Sequence, residues 1–385
     1  MRKNTSESRN KYNPPSRILG IASTPYHLMV FLFIRDAFFE DLPTDILLTD
    51  KTACLKDLYT SPKLSSCFDD AFFADGRQIR NPYKKGPAML YESLIRNPEF
   101  PRLFTDGHKP DMKQYSHVFF ASPGLPDEIS KEIVKEAILQ NRHVRLHRFE
   151  DGFASYTRPP VSSVSTRAGR LVYRAGRGFN IKKAENRLYL FEPALAEPAV
   201  ADHKSTGFHL KKIPNSPDRI KRISRRLGEL FGFTPPAIDA EYIFLGQGTA
   251  NITQNPDSYA SLIREIAQKT GYERFCMKPH PRGVHDRFDQ QMTLYEDGAP
   301  FELAFAGGYM EHKTLLSYYS TACVSGKLLF HSGCRIIFLY PLAGDSFNEK
   351  CDYELYFSKL KKLYENVEIA RSKEELWELL QPDRG

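Results

Sequence analysis

Short apolar runs recur along the chain: Ile18–Ala22, Ile46–Leu48, Val118–Ala121, Val144–Phe149, Leu188–Phe191, Tyr242–Leu245, Phe275–Met277, Cys323–Ser325 and Ile336–Tyr340. Brief runs without polar alternation suit strands covered on both faces. Between many of them lie stretches with helical spacing, such as Tyr26–Phe38, Pro126–Gln140, Asp257–Lys269 and Asn348–Leu363. The alternation predicts α/β layers with largely parallel sheets. A basic helical stretch, Arg219–Phe231, ends before Phe233-Thr234-Pro235-Pro236, and a fresh strand starts at Tyr242. This divides the chain into residues 17–235 and 236–385, read as two Rossmann-like halves facing a cleft. The stretch Lys373–Leu380 reads as a short amphipathic helix packing back across the domains. The polar residues 1–16 are expected to be disordered.

Composition narrows the class. The chain has 385 residues, 41% hydrophobic and 26% charged, which suits two globular domains. The 12% aromatic share suits a polar ligand such as a sugar, and the net charge of +7 favours anionic partners. Arg167, Arg170, Arg174, Arg177, Lys182, Lys183 and Arg187 form one basic tract, and Arg219, Lys221, Arg222, Arg225 and Arg226 another. Such tracts attract anionic lipid or nucleic acid, or simply form a solvated face. The six cysteines are scattered, without zinc-site spacing, and read as small core residues of a reducing compartment. Met29–Ile34 is too short to span a bilayer, so the expectation is a cytoplasmic protein, or one peripheral on the inner face of the membrane. The absence of G-x-G-x-x-G and Walker A patterns argues against a dinucleotide oxidoreductase and a P-loop NTPase.

Candidate chemistry collects at the ends of the strand-like runs, where open α/β sheets bind ligands. After the run to Phe149 come Glu150-Asp151-Gly152. Adjacent carboxylates in a dry site raise one pKa, and glycine admits a ligand to the backbone, although Asp-Gly is also an ordinary turn pair. After Met277 come Lys278-Pro279-His280-Pro281-Arg282. A histidine held there can move a proton near neutral pH, and its cationic neighbours suit a phosphate leaving group. Gly246-Gln247-Gly248-Thr249 leaves room at a third strand end. Asp257 opens a helix, as a cap or as a carboxylate at the cleft edge. Ser320-Thr321, before a strand-like run from Ala322 to Ser325, offers hydroxyls to a phosphate, and Glu302 could accept from a ribose diol.

Glu150-Asp151-Gly152, His280-Pro281 and Ser320-Thr321 resemble, in order and spacing, the acidic-Gly, His-Pro and Ser-Ser/Thr motifs of bacterial sialyltransferases. More narrowly, Ile243-Phe244-Leu245-Gly246, Pro256-Asp257, Pro279-His280-Pro281-Arg282 and Thr24-Pro25-Tyr26-His27-Leu28 resemble glycosyltransferase family 52, the lipooligosaccharide sialyltransferases. The resemblance implies a glycosyltransferase-B fold with an acceptor-side first domain and a nucleotide-sugar-binding second domain. It implies inverting, metal-independent transfer from CMP-sialic acid to a terminal galactose, with no further cofactor. By position Asp257 matches the proposed base, with Asp151 its rival. His280 matches the acid, Ser320 and Thr321 the phosphate site, and Glu302 a ribose contact. Relatives form dimers, so a homodimer is expected, and no nucleic-acid partner. The alternatives are another nucleotide-sugar transferase of the same fold and a non-catalytic binder of anionic surfaces or nucleic acid.

Overall fold

The computed structural model describes residues 17–78, 97–121, 127–160, 167–235, 239–248, 256–280, 291–295, 299–342 and 353–381. The expectations for residues 1–16, Pro281 and Arg282 lie outside the described residues. Seven strands form the first sheet: β1 (Arg17–Ala22), β2 (Thr44–Thr49), β3 (Asp70–Ala74), β4 (Tyr115–Ala121), β5 (Arg145–Phe149), β6 (Arg187–Leu190) and β7 (His209–Lys212). Six form the second: β8 (Tyr242–Leu245), β9 (Phe275–Lys278), β10 (Thr293–Leu294), β11 (Thr314–Ser317), β12 (Arg335–Phe338) and β13 (Val367–Ile369). The longer helices are α1 (Pro25–Phe38), α2 (Glu128–Gln140), α3 (Arg167–Arg177), α4 (Pro217–Phe231), α5 (Pro256–Thr270), α6 (Thr321–Phe330) and α7 (Tyr353–Leu363).

Every ladder in both sheets is parallel. The first sheet runs β3-β2-β1-β4-β5-β6-β7 and the second β10-β9-β8-β11-β12-β13. Chain order therefore reverses between β1 and β4, and again between β8 and β11. Reversal points leave a crevice at the C-terminal strand edge. β2 and β11 are buried at every position, as strands covered by helices on both faces must be. Among the described residues no helix is long and apolar enough to cross a membrane.

Two expectations are corrected. Ala322–Ser325 is not a strand but the first turns of α6, capped by Ser320, whose Oγ accepts from the Ala322 N–H at 3.2 Å. A fully buried apolar run has no face to distinguish a helix from a strand, and the capping serine decides. The helix Lys373–Leu379 packs within the second domain rather than across to the first. Its last carbonyl, on Leu379, accepts from Arg335 at 2.6 Å, and Lys373 pairs with Glu265 of α5 at 2.7 Å. The crossing role belongs to α7. Its Tyr356 lies 5.5 Å from Tyr156, ring to ring, and its Lys359 donates to the Ala196 carbonyl at 2.6 Å.

The halves share one apolar core that continues from the first sheet through α1, α6 and α7 to the second. Phe33 of α1 meets Phe191 at 5.2 Å and Phe330 of α6 at 6.3 Å, both edge to face. Behind this contact α4 is clamped to α1. Asp36, 4% exposed, accepts from Arg219 at 2.7 Å and from Arg222 at 2.7 and 3.0 Å. Part of the second basic tract thus serves the fold. Burial alone would raise the Asp36 carboxyl, but the bonds from Arg222 and Arg219 hold it below the usual carboxylate range. A depressed carboxylate stabilises the fold above its unfolded pKa, and that contribution is lost as pH falls through the lower folded value. Asp36→Ala is expected to cost about 2 kcal/mol at pH 7, from lost bonds to charged groups. Urea unfolding at pH 7 and again in acid checks this: the gap between variant and wild type should close in acid.

Candidate active site

The acidic pair at the end of β5 splits into two roles. Glu150 is fully buried. Its Oε1 accepts from the Tyr26 hydroxyl of α1, and its Oε2 from the Tyr156 hydroxyl and, at 2.8 Å, from the Phe191 N–H after β6. Substrate contact by Glu150 is therefore corrected: both oxygens are taken by the protein, and none of the side chain is left on the surface. Burial raises its pKa to about 7, against the lowering effect of the Tyr156, Tyr26 and Phe191 bonds, with a smaller upward push from Asp151.

Asp151 stays partly open, with its side chain 40% exposed. Its Oδ1 lies 2.6 Å from His27 Nε2, and its backbone N–H donates to Ser155 Oγ at 2.7 Å. His27 Nδ1 accepts from the Ser23 N–H at 3.2 Å, so the ring carries its proton on Nε2 and donates it to Asp151. Desolvation would raise the Asp151 pKa, but the attraction and hydrogen bond of the His27 Nε2–H, with Lys51 further off, bring it below the ordinary value. His27 had no assigned role in the sequence. Its signal was there: it stands three residues after Thr24, whose Oγ1 caps α1 by accepting the His27 N–H at 3.2 Å. The cap fixes the first turn, and the first turn aims the ring.

Gly152 joins the two domains. Its φ of +69° is the left-handed region, and a Cβ there would stand 2.3 Å from Thr321 Cγ2 and 2.8 Å from Thr321 Oγ1. Two sequence motifs far apart in the chain therefore touch across the cleft. Beside them an aromatic group closes the same seam. Phe153 meets Tyr353 edge-on at 5.0 Å, and Tyr353 stacks on Tyr319 at 5.3 Å.

In the second domain the reversal point between β8 and β11 is built from small polar groups. Ser317 Oγ donates to the Leu245 carbonyl at 3.0 Å and accepts from Gln247 Nε2 at 2.8 Å and from the Ser320 N–H at 3.1 Å. The Gly246 N–H donates to the Lys278 carbonyl at 2.9 Å. His280, two residues past β9, rests against this loop. A Cβ on Gly248 would lie 3.2 Å from its Cε1 and 3.3 Å from its Nδ1, so glycine makes the seat for the ring. Lys278 Nζ sits 5.1 Å over the Tyr295 ring. The pKa of half-buried Glu302 is raised by burial, against a lowering by Lys278, and its charge also reaches Tyr26 of the first domain. The structure thus gathers Lys278, His280, Gly246, Ser320, Thr321, Asp151 and Gly152 along two facing strand edges, with Glu302 near Lys278. Asp257 stands exposed in the first turn of α5.

Two variants probe this arrangement. Glu150 has a raised folded pKa, so its favourable contribution is complete below the unfolded value and lost as pH rises through about 7. Glu150→Gln should therefore gain stability over the wild type by about 2–3 kcal/mol between pH 5 and pH 8, as checked by denaturant melts across that range. A flat difference would contradict the assignment. Gly152→Ala should cost more than about 1 kcal/mol through its positive φ and the Thr321 clash. Adding Thr321→Ala should return part of that loss, read by thermal unfolding.

The sequence matches no family model and no curated protein. Solved structures do match. The glycotransferase of kitacinnamycin aligns over 96% of this chain and 91% of its own, at 11% identity and a TM-score of 0.50. The glycosyltransferase SnogD from Streptomyces nogalater aligns over 95% and 90% at 11% identity, with a TM-score of 0.47. The E. coli heptosyltransferase WaaC with ADP aligns over 92% and 93% at 13% identity, with a TM-score of 0.40. Two parallel-sheet Rossmann-like domains, facing each other across their C-terminal strand edges, give this chain the glycosyltransferase-B fold.

Proposed function

We propose that this chain is a glycosyltransferase that moves a sugar from a nucleotide donor. The observation that carries the reading is the Gly152–Thr321 apposition, which puts an oriented carboxylate and a hydroxyl-bearing helix start on opposite walls of one cleft. The fold is compatible with it. The motif resemblance refines the donor to CMP-sialic acid and the acceptor to a terminal galactose, as on lipooligosaccharide.

In this reading the donor phosphate lies at the start of α6. There Ser320 and Thr321 supply hydroxyls and the helix N–H groups favour an anion, while Lys278 supplies a cation. Asp151 takes the proton from the acceptor hydroxyl as its oxygen attacks the anomeric carbon from the face opposite the phosphate. The carbon–oxygen bond to the phosphate breaks, and His280 as imidazolium gives its proton to the departing oxygen. His27 is a positioning residue: it holds Oδ1 and leaves Oδ2 of Asp151 for the acceptor. This favours Asp151 over Asp257 as the base, since the Asp257 side chain stands in solvent.

The test is release of CMP from CMP-sialic acid with lactose or another galactoside present, in EDTA. Acceptor-dependent release is expected. His280→Ala and Asp151→Asn should each lower kcat by about 100-fold or more with melting temperature kept, since general acid–base help is of that size. Asp257→Asn should stay within about threefold. Activity lost in Asp257→Asn and kept in Asp151→Asn would move the base to the second domain. No release, with UDP rather than CMP raising the melting temperature, would assign a different nucleotide sugar.

A further inference from the structure

A second concentration of chemistry lies on the first domain, at the opposite edge of the sheet from Asp151. A cavity of about 500 Å³ opens beside the N-terminal ends of β5 and β6. It is lined by Arg142, His143 and Arg145 from the approach to β5, by Lys183, and by Arg187 at the start of β6. Among the described residues no carboxylate lines it, and none forms an ion pair with Arg142, Arg145, Lys183 or Arg187. The nearby Glu185 is buried, and its charge acts on Arg148.

His147 adds a buried polar atom. It lines the cavity and is 2% exposed. Its Nε2 lies 2.7 Å from His117 Nδ1, while its own Nδ1 has no hydrogen-bond partner. Burial, aided by His117, Arg187 and Arg145, holds the ring well below the usual histidine range, so it is neutral. One proton serves the His117–His147 contact; when it sits on His117 Nδ1, the His147 proton lies on Nδ1 and has no acceptor. A buried polar atom without a partner costs stability. Four cations that pair with no carboxylate among the described residues line the same cavity and select an anion.

We propose that this cavity is a binding site for a phosphate-bearing anion, either a soluble phosphate compound or the headgroup of an anionic lipid. Arg145 and Arg187 hold the phosphate oxygens from two neighbouring strands, and the anion's field favours the tautomer with the His147 proton on Nδ1. The site is separated from the cleft by the length of β5, about 15 Å, and does not depend on the proposed transfer reaction.

The experiment uses the full chain. One arm titrates it with inorganic pyrophosphate by calorimetry. The other sediments it with phosphatidylcholine vesicles, with and without phosphatidic acid. Each arm compares the wild type with Arg145→Gln/Arg187→Gln and, separately, Lys183→Gln. These side chains are exposed and make no ion pair with a carboxylate among the described residues, so the ligand-free melting temperatures should be no lower than that of the wild type. A loss of about tenfold or more in pyrophosphate affinity in the double variant, and a smaller loss in Lys183→Gln, supports a soluble ligand. Loss confined to sedimentation that needs phosphatidic acid supports a headgroup. If wild type and variants bind both probes equally, or none binds either, the proposal is overturned. Equal binding includes pyrophosphate held only in the cleft, which these substitutions leave intact.

Discussion

A single buried carboxylate organises the first half of the cleft. Glu150 takes hydrogen bonds from α1, from the turn after β5 and from the strand end of β6, and each donor is spent on it. Burying a carboxyl is costly unless its acceptors are filled, so the three elements have little freedom to shift relative to one another. That rigidity is what lets the next residue work. Asp151 leaves the same strand end with its backbone N–H tied to Ser155 and one oxygen tied to His27, so its remaining oxygen points from a fixed base. Two adjacent acids serve opposite ends because one is sealed and the other is open.

The second half reaches the same result with neutral groups. At its reversal point Ser317, Gln247 and the Ser320 N–H satisfy one another, which holds the β8 loop and the start of α6 in register. His280 rests on that loop at Gly248. Neither half contains both an oriented carboxylate and the histidine with its cations. The continuous core through α1, α6 and α7 sets their separation, and the glycine at 152 sets how closely the walls approach. Chemistry divided between two domains in this way depends on the packing between them as much as on the groups themselves.

How legible this was in the sequence follows from the kind of signal each part carries. Strands buried on both faces announce themselves as apolar runs, and β1, β4, β8 and β9 are readable for that reason. β7, His209–Lys212, has an edge position and carries lysines, which protects the edge but erases the apolar signature. β13 has only three residues, and β11 reads Thr-Leu-Leu-Ser with polar ends that serve the reversal point. α6 was mistaken for a strand because its buried face is its whole surface. The motif positions were legible, yet their roles were not. Nothing local distinguishes Glu150 from Asp151, since the difference lies in Tyr26, Tyr156 and His27, which only the fold brings near.

The charge pattern shows the same limit from another side. Read along the chain, two basic tracts look equivalent. In the fold, Arg219 and Arg222 are drawn to a buried acid and hold α4 to α1, so their charge is compensated. Arg187, at the end of the other tract, stands with Arg145 and Arg142 around a cavity where no acid among the described residues answers them. Like charges held close raise the free energy of the unliganded protein, and burial, aided by the same charges, keeps the histidine pair beside them neutral. An excess of positive charge concentrated on one strand edge is the arrangement an anion would relieve, whereas Arg219 and Arg222 already share Asp36.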